Sequence, residues 1–495
     1  MTTTVRRRTG VIIAGLVAGL VVAACSSSPN AATKPIQTVS SKAAAPESSA
    51  APSTSSVVLT STVAPTTSST AAQEPDRPKC SQADDGPIVV WHSLGGDATL
   101  KAFDRLITRF DATHSSKVEV IKVGGYEDLL KRLASTAVDR WPDIVIGPSD
   151  GSVNLLRSGH FLNPADCADT SALLADLVPV VGQTYTVAGN LVAVPYGVSA
   201  PVLMFDGAEF KRAGLDPARP PSTLAELLDA SRRLTASRAS PHGLVLYDHF
   251  GEWVLQQFAA KRGTLVGTPA NGRALEHVTV DFDTPENAAD IASLRQGVRE
   301  GHILWIGGLK ADIDDLVAIV DPANGGSMTV HSSGALGEVL SLLAAGNFPT
   351  VELGVAPMPG PGPGSLAGGN ALWLVDHGGP ARAARAWTLI DWLSAPAQVA
   401  EFDAASGYVP AGRAAAGERV LLDRWAQVPQ LRVAYDELLA TPTSAATAGL
   451  LLGPSVDRDY ILYSASRRLI DTDDPIDVVL RDTSALVNTL LATSG

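Results

Sequence analysis

A histidine closing an apolar run, a few paired acids and three cysteines are the groups in this chain that could do chemistry. His92 ends Ile88-Val89-Val90-Trp91-His92 and could act as a general base. No motif pairs it with a serine or cysteine nucleophile, so it reads as a core histidine at a strand end. Asp84-Asp85 and Asp314-Asp315 read as solvated surface. Two carboxylates far apart in sequence could still converge for glycoside hydrolysis, which keeps a secreted carbohydrate-active enzyme as a competing class. The chain has no G-x-S-x-G elbow, P-loop, H-E-x-x-H helix or G-x-G-x-x-G after a strand. Its nine histidines show no tight pair, and three cysteines cannot build a four-cysteine zinc site. The expectation is reversible binding, with no catalytic residue, metal or cofactor.

The cysteines sort by context. Arg6, Arg7 and Arg8 precede a short apolar run over 11–22, and Val22-Ala23-Ala24-Cys25 resembles the bacterial lipobox. That resemblance implies cleavage before Cys25 and its acylation, with residues 1–25 as the signal peptide. The chain would then be lipid-anchored to the outer face of the cell membrane. Residues 26–80 are rich in Ser, Thr, Ala and Pro and cannot bury a core, so they read as a tether. Cys80 and Cys167 remain, and two leftover cysteines in an oxidising compartment are expected to pair.

The elements that must position a site begin near residue 81. The full chain has 495 residues, a net charge of −13 and a pI near 5.1, which argues against a nucleic-acid surface. Ile88–His92 and the segments 118–122 and 141–146 read as strands separated by helical spacings, giving an α/β fold with a parallel sheet. Thr223 and Glu226 form a capping-box pattern before a helix over 224–234, and 285–300 and 381–395 read as further helices. Ligands in such sheets lie beyond the carboxyl ends of the strands. Those ends here are His92-Ser93-Leu94-Gly95-Gly96, Gly124-Gly125-Tyr126 and Gly147-Pro148-Ser149-Asp150.

Five motifs in order then carry a family resemblance. They are Trp91-His92-Ser93-Leu94-Gly95; Val194-Pro195-Tyr196-Gly197-Val198-Ser199-Ala200-Pro201; Ser332-Ser333-Gly334-Ala335-Leu336; Gly368-Gly369-Asn370-Ala371-Leu372-Trp373; and Ser406-Gly407-Tyr408-Val409-Pro410. Together they resemble the extracellular solute-binding proteins of ABC importers, in the sugar and glycerophosphodiester group. The resemblance implies a two-lobed, periplasmic-binding-protein-like fold with an interlobe cleft. Its lobes would be 81–198 with 372–408, and 199–371 with 409–495. Hinge crossings are expected near 197–200, 368–372 and 408–411. A monomer would close on a small-molecule solute and dock on the transmembrane subunits of an ABC permease.

The same resemblance assigns ligand contacts to Tyr126, Ser199, Trp253, Ser332 or Ser333, Gly368 or Gly369, and Tyr408. A carboxylate position aligns with Ser149, with Asp150 beside it, and a pocket aromatic is shifted into Tyr247-Asp248-His249-Phe250. Glycerophosphate binders of the group carry an arginine where Gly449-Leu450-Leu451-Leu452-Gly453 places Leu451. An apolar side chain cannot pair with phosphate; Arg413 and Arg458 are the cations considered as substitutes. The expected ligand is therefore a neutral sugar or related polyhydroxylated solute rather than a phosphate ester. A signalling or structural lipoprotein on the same fold is the third class.

Overall fold

The computed structural model describes residues 80–149, 152–247, 250–274, 277–306, 325–346, 348–453 and 455–493, with Leu316 and Ile319. The signal peptide with Cys25, the tether short of Cys80, and Asp150 and Asp248 lie outside these residues.

The alternation of Ile88-Val89-Val90-Trp91 explains the first sheet. Ile88 and Val90 are fully buried against Phe103, Leu106 and Phe110 of the helix Asp97–Thr113. Trp91 faces the other way, with Leu129 and Leu133 of the helix Tyr126–Ser135. A strand apolar on both faces belongs inside a covered sheet. β1 (Ile88–His92) accordingly pairs in parallel with β2 (Val118–Lys122) and β3 (Ile144–Pro148). β4 (Phe161–Leu162) follows, then a small hairpin of β5 (Thr186–Val187) and β6 (Asn190–Leu191). β7 (Val194–Ser199) joins the sheet through an antiparallel pairing with β15 (Gly368–Val375), which also pairs with β3 and β4.

The second sheet contains β8 (Pro201–Asp206), β9 (Leu244–Tyr247), β12 (Ile303–Ile306), β13 (Met328–Ser332) and β14 (Leu353–Pro357). Its order is β12-β9-β13-β8-β14. A two-stranded ribbon, β10 (Gly267–Thr268) and β11 (Thr279–Val280), lies apart. The helix Leu224–Ala236 starts as its sequence predicts. Thr223 Oγ1 accepts from Glu226 N at 3.2 Å, and Glu226 Oε2 accepts from Thr223 N at 3.2 Å. The other two expected helices are Pro285–Arg299 and Pro380–Ser394.

The chain passes between the sheets at three places. Only Ala200 separates β7 from β8. The return runs through 358–367, so β15 lies wholly in the first sheet from Gly368 onward. The crossing expected at 368–372 therefore falls upstream, in a Pro-Gly-rich stretch that cannot hold a strand. A buried ion pair, Lys261 Nζ to Glu437 Oε1 at 3.0 Å, lies at this stretch: Glu437 also accepts from the Met358 backbone. The third passage is marked by Val409 N donating to Val198 O at 2.8 Å. Val198, Ala200, Val202, Ala371, Trp373 and Val409 belong to one apolar cluster, so the passage region is packed like a core.

Cys80 and Cys167 are joined as a disulfide, with 4.9 Å between their Cα atoms. Among the described residues, no helix is long and apolar enough to cross a membrane.

Candidate ligand-binding site

The strand ends and the passages between sheets bring several predicted residues together. Ser149, just past β3, donates its backbone N–H to Gly369 O at 3.1 Å. Gly368 pairs with Ser199 across β15 and β7, and a side chain on Gly368 would start 3.7 Å from Ser199 Oγ. Gly369 adopts φ +99, and a Cβ there would sit 2.2 Å from Gly197 O. Only glycine fits, which leaves a bare backbone edge at this spot.

Tyr408 is the centre of the hinge. Its ring stacks on Phe402 with centroids 5.8 Å apart and planes 9° apart. It fills the space beside Gly197 and Gly334, where a Cβ would come within 3.4 and 2.6 Å of the ring. Its hydroxyl accepts from Asn370 Nδ2 at 3.3 Å. One side chain thus touches β7, β15 and the turn that follows β13. Burial pushes its phenol above the ordinary range.

The two serines of the Ser-Ser-Gly motif part company. Ser333 is fully buried; its Oγ accepts from Ala200 N at 3.2 Å and its N–H donates to Ala200 O at 2.9 Å. It fastens the first passage. Ser332 is half-buried and its Oγ accepts from Gly334 N at 3.2 Å, so its own O–H remains available to donate. Ser93 is buried, with its hydroxyl donating to Ile146 O at 3.4 Å. Tyr126 opens its helix and is 38% exposed. His92 accepts from Leu94 N at Nδ1, and burial lowers its pKa to about 4, so it stays neutral. Trp253 lies on the π-helical turn Phe250–Gln257, its side chain outside the described residues.

Leu451 packs in the core at 3% exposure, its N–H donating to Asn271 O at 2.8 Å. A ligand contact by its side chain is not available in this conformation. The two cations considered as substitutes already have partners. Arg458 is buried, with Nη1 donating to Leu452 O and Nε to Asp459; Arg413 reaches Leu177 O at 3.2 Å. A third cation, overlooked in sequence, stands beside the same loop. Arg273 Nε donates to Gly449 O at 2.8 Å and Nη1 to Thr184 O at 2.8 Å. Among the described residues it has no carboxylate partner, and loss of hydration lowers its pKa to about 10.

Residues 105–431 match the family model described as bacterial extracellular solute-binding protein. The chain belongs to that family. The glycerol-3-phosphate-binding periplasmic protein UgpB of Salmonella typhimurium is 27% identical over 386 residues, covering 74% of this chain and 83% of the relative. The Escherichia coli O6:H1 protein of the same name is 26% identical over the same span. UgpB from Mycobacterium tuberculosis in complex with glycerophosphocholine superimposes with a TM-score of 0.67 at 21% identity, covering 83% of this chain and 99% of that one. Maltose-bound MalE3 of T. maritima does so at 0.66 and 18%, covering 82% and 100%. The architecture is thus the two-lobed fold of these solute-binding proteins.

Within this solute-binding protein, sequence reasoning missed a buried polar group around the hinge tyrosine. Tyr196 stacks on Phe402 at 4.7 Å, and its hydroxyl, both Asp403 carboxyl oxygens and Asn370 Oδ1 are buried without hydrogen-bond partners. Burial raises the Asp403 pKa well above the ordinary carboxylate value. Asn370 lies in the Gly368–Trp373 motif, and a polar residue between Gly369 and Ala371 in a buried strand is its signal.

Proposed function

We propose that this chain is the lipid-anchored solute receptor of an ABC importer, held through Cys25 and the 26–80 tether. It captures a sugar or related polyhydroxylated solute by closure of the hinge and presents the closed form to permease subunits. The observation that carries the reading is the meeting of both sheets at Tyr408, which contacts Gly197 of β7, Asn370 of β15 and Gly334 just after β13, beside loops that offer hydroxyl and backbone groups. Ser149, Ser199, Ser332 and the backbone at 368–369 are neutral donors and acceptors, suited to ligand hydroxyls. Tyr126, Trp253 and Tyr408 supply aromatic faces for the apolar faces of a sugar ring. Nothing in this set performs covalent chemistry, and the relatives are named as binding proteins.

A glycerophosphodiester is the second reading, and Arg273 favours it. A guanidinium with no carboxylate partner among the described residues, beside the 449–453 loop, would gain from an anionic ligand group.

The test is retention from an unlabelled mixture of sugars, polyols and glycerophosphodiesters, read by mass spectrometry. Reversible recovery of an unmodified neutral solute supports the first reading, and of a phosphodiester the second. Turnover of any member overturns both in favour of the enzyme. Metabolic labelling with an alkyne fatty acid, lost in Cys25→Ala, tests the anchor.

A further inference from the structure

The helix Asp97–Thr113 begins directly after the loop that carries Ser93. Its N-cap is Gly96, at φ 79, which has no side chain to satisfy the free N–H groups of the first turn. The cap comes from 241 residues away. Glu338 Oε2 accepts from Asp97 N at 3.1 Å and from Ala98 N at 3.5 Å. Glu338 belongs to the helix Leu336–Ala344, which connects β13 to β14 of the second sheet. The contact therefore joins the two lobes.

The approach of the two elements is close. A Cβ on Gly337 would lie 2.4 Å from Ser406 O, and one on Gly407 would lie 2.5 Å from Gly337 N. The first turn of the second-lobe helix thus rests backbone to backbone on the end of the helix Pro396–Ser406. The carboxylate also meets the positive end of the seventeen-residue helix dipole. Nearby, Asp97 pairs at 4.0 Å with Lys101, and both are exposed.

We propose that Glu338 is an interlobe clasp that, by capping the first-lobe helix, favours the lobe arrangement in which the two helices meet, and that this arrangement is the closed one. This rests on the hinge reading above. The clasp transfers part of the closing free energy from the solute to the protein and raises the closed population before ligand arrives. Apparent solute affinity scales with that population. It also ties lobe closure to the position of the 93–96 loop, since the loop and the cap share Gly96.

The experiment is pulsed dipolar spectroscopy on the full chain, with nitroxides carried by ketone-bearing amino acids at exposed positions 108 and 486, one per lobe. Glu338→Ala should lower the closed-to-open ratio about two- to fivefold without ligand. Asp97→Pro removes one donor while proline remains acceptable at the first helical position, so it should shift the ratio in the same direction. Glu338→Gln keeps an acceptor but not the charge and should fall between. Far-UV circular dichroism checks folding, and Asp97→Pro decides the matter if Glu338→Ala misfolds. Gly337→Trp wedges the same approach. If the wedge opens the protein while Glu338→Ala and Asp97→Pro leave the distances unchanged, the clasp is wrong and the hinge stands. If no variant, the wedge included, alters the distances, the hinge reading fails.

Discussion

The Asn370 side chain donates to the Tyr408 hydroxyl at 3.3 Å, tying the strand that re-enters the first sheet to the last passage between lobes. Tyr408→Phe removes the acceptor and leaves a buried amide N–H unpaired. It should destabilise the fold by about 1–2 kcal/mol in urea denaturation and shift the hinge equilibrium. Tyr408→Ala also empties the space against Gly197, Gly334 and Phe402, at about 2–4 kcal/mol. It should weaken solute binding more than Tyr408→Phe does; equal affinity in all three proteins would remove Tyr408 from the site.

Asp403 makes stability depend on pH with a definite sign. Its folded pKa is raised above the unfolded value near 3.8, so the folded state binds more protons between the two. Stability from this group is full below the unfolded value and is lost as pH rises through the folded one. Asp403→Asn should therefore gain on the wild type from pH 4 to pH 7, by about 1–2 kcal/mol at neutral pH. Melting curves for both proteins across that range check it. A constant difference would mean that the carboxyl is not held neutral.

Gly369→Ala tests the bare backbone edge. Its φ of +99 and the 2.2 Å approach to Gly197 O force either strain or separation of β15 from β7. A loss of at least about 2 kcal/mol is expected, together with an altered interlobe distance. Gly368→Ala, with 3.7 Å to Ser199 Oγ, should fold normally and lower solute affinity by crowding.

Arg273→Gln separates the two ligand readings. If the solute is anionic, its affinity should fall at least about tenfold in isothermal titration, in line with loss of a charge-assisted bond. A neutral sugar should lose no more than about threefold, through the relaxed contact between Gly449 and Thr184.

Sequence reading reached the parts that local periodicity encodes. The apolar run at 88–91 and the Thr223–Glu226 box stand in the structure where their patterns placed them, whereas the crossing read from the glycines at 368–369 falls upstream of them. It missed what depends on direction. Ser332 and Ser333 are adjacent, and only the fold separates the half-buried one from the fully buried one. Leu451 lies between glycines like a loop residue, yet packs in the core. Arg273 is a single basic residue after Asn-Gly, with nothing local to mark its reach to Gly449 and Thr184. Glu338 has helical surroundings that suggest only a solvated acid, because its partner lies 241 residues away.

The Cys80–Cys167 bond has a mechanical consequence. Tension arriving from the residues before Cys80 divides at the sulfur, and the covalent path to Cys167, 87 positions on, bypasses the loop between them. β1, β2 and β3 all lie inside that loop, so the strands that lead into Ser93 and Ser149 are shielded from load. Force applied ahead of Cys80 would pass around β1, β2 and β3 instead of unzipping them.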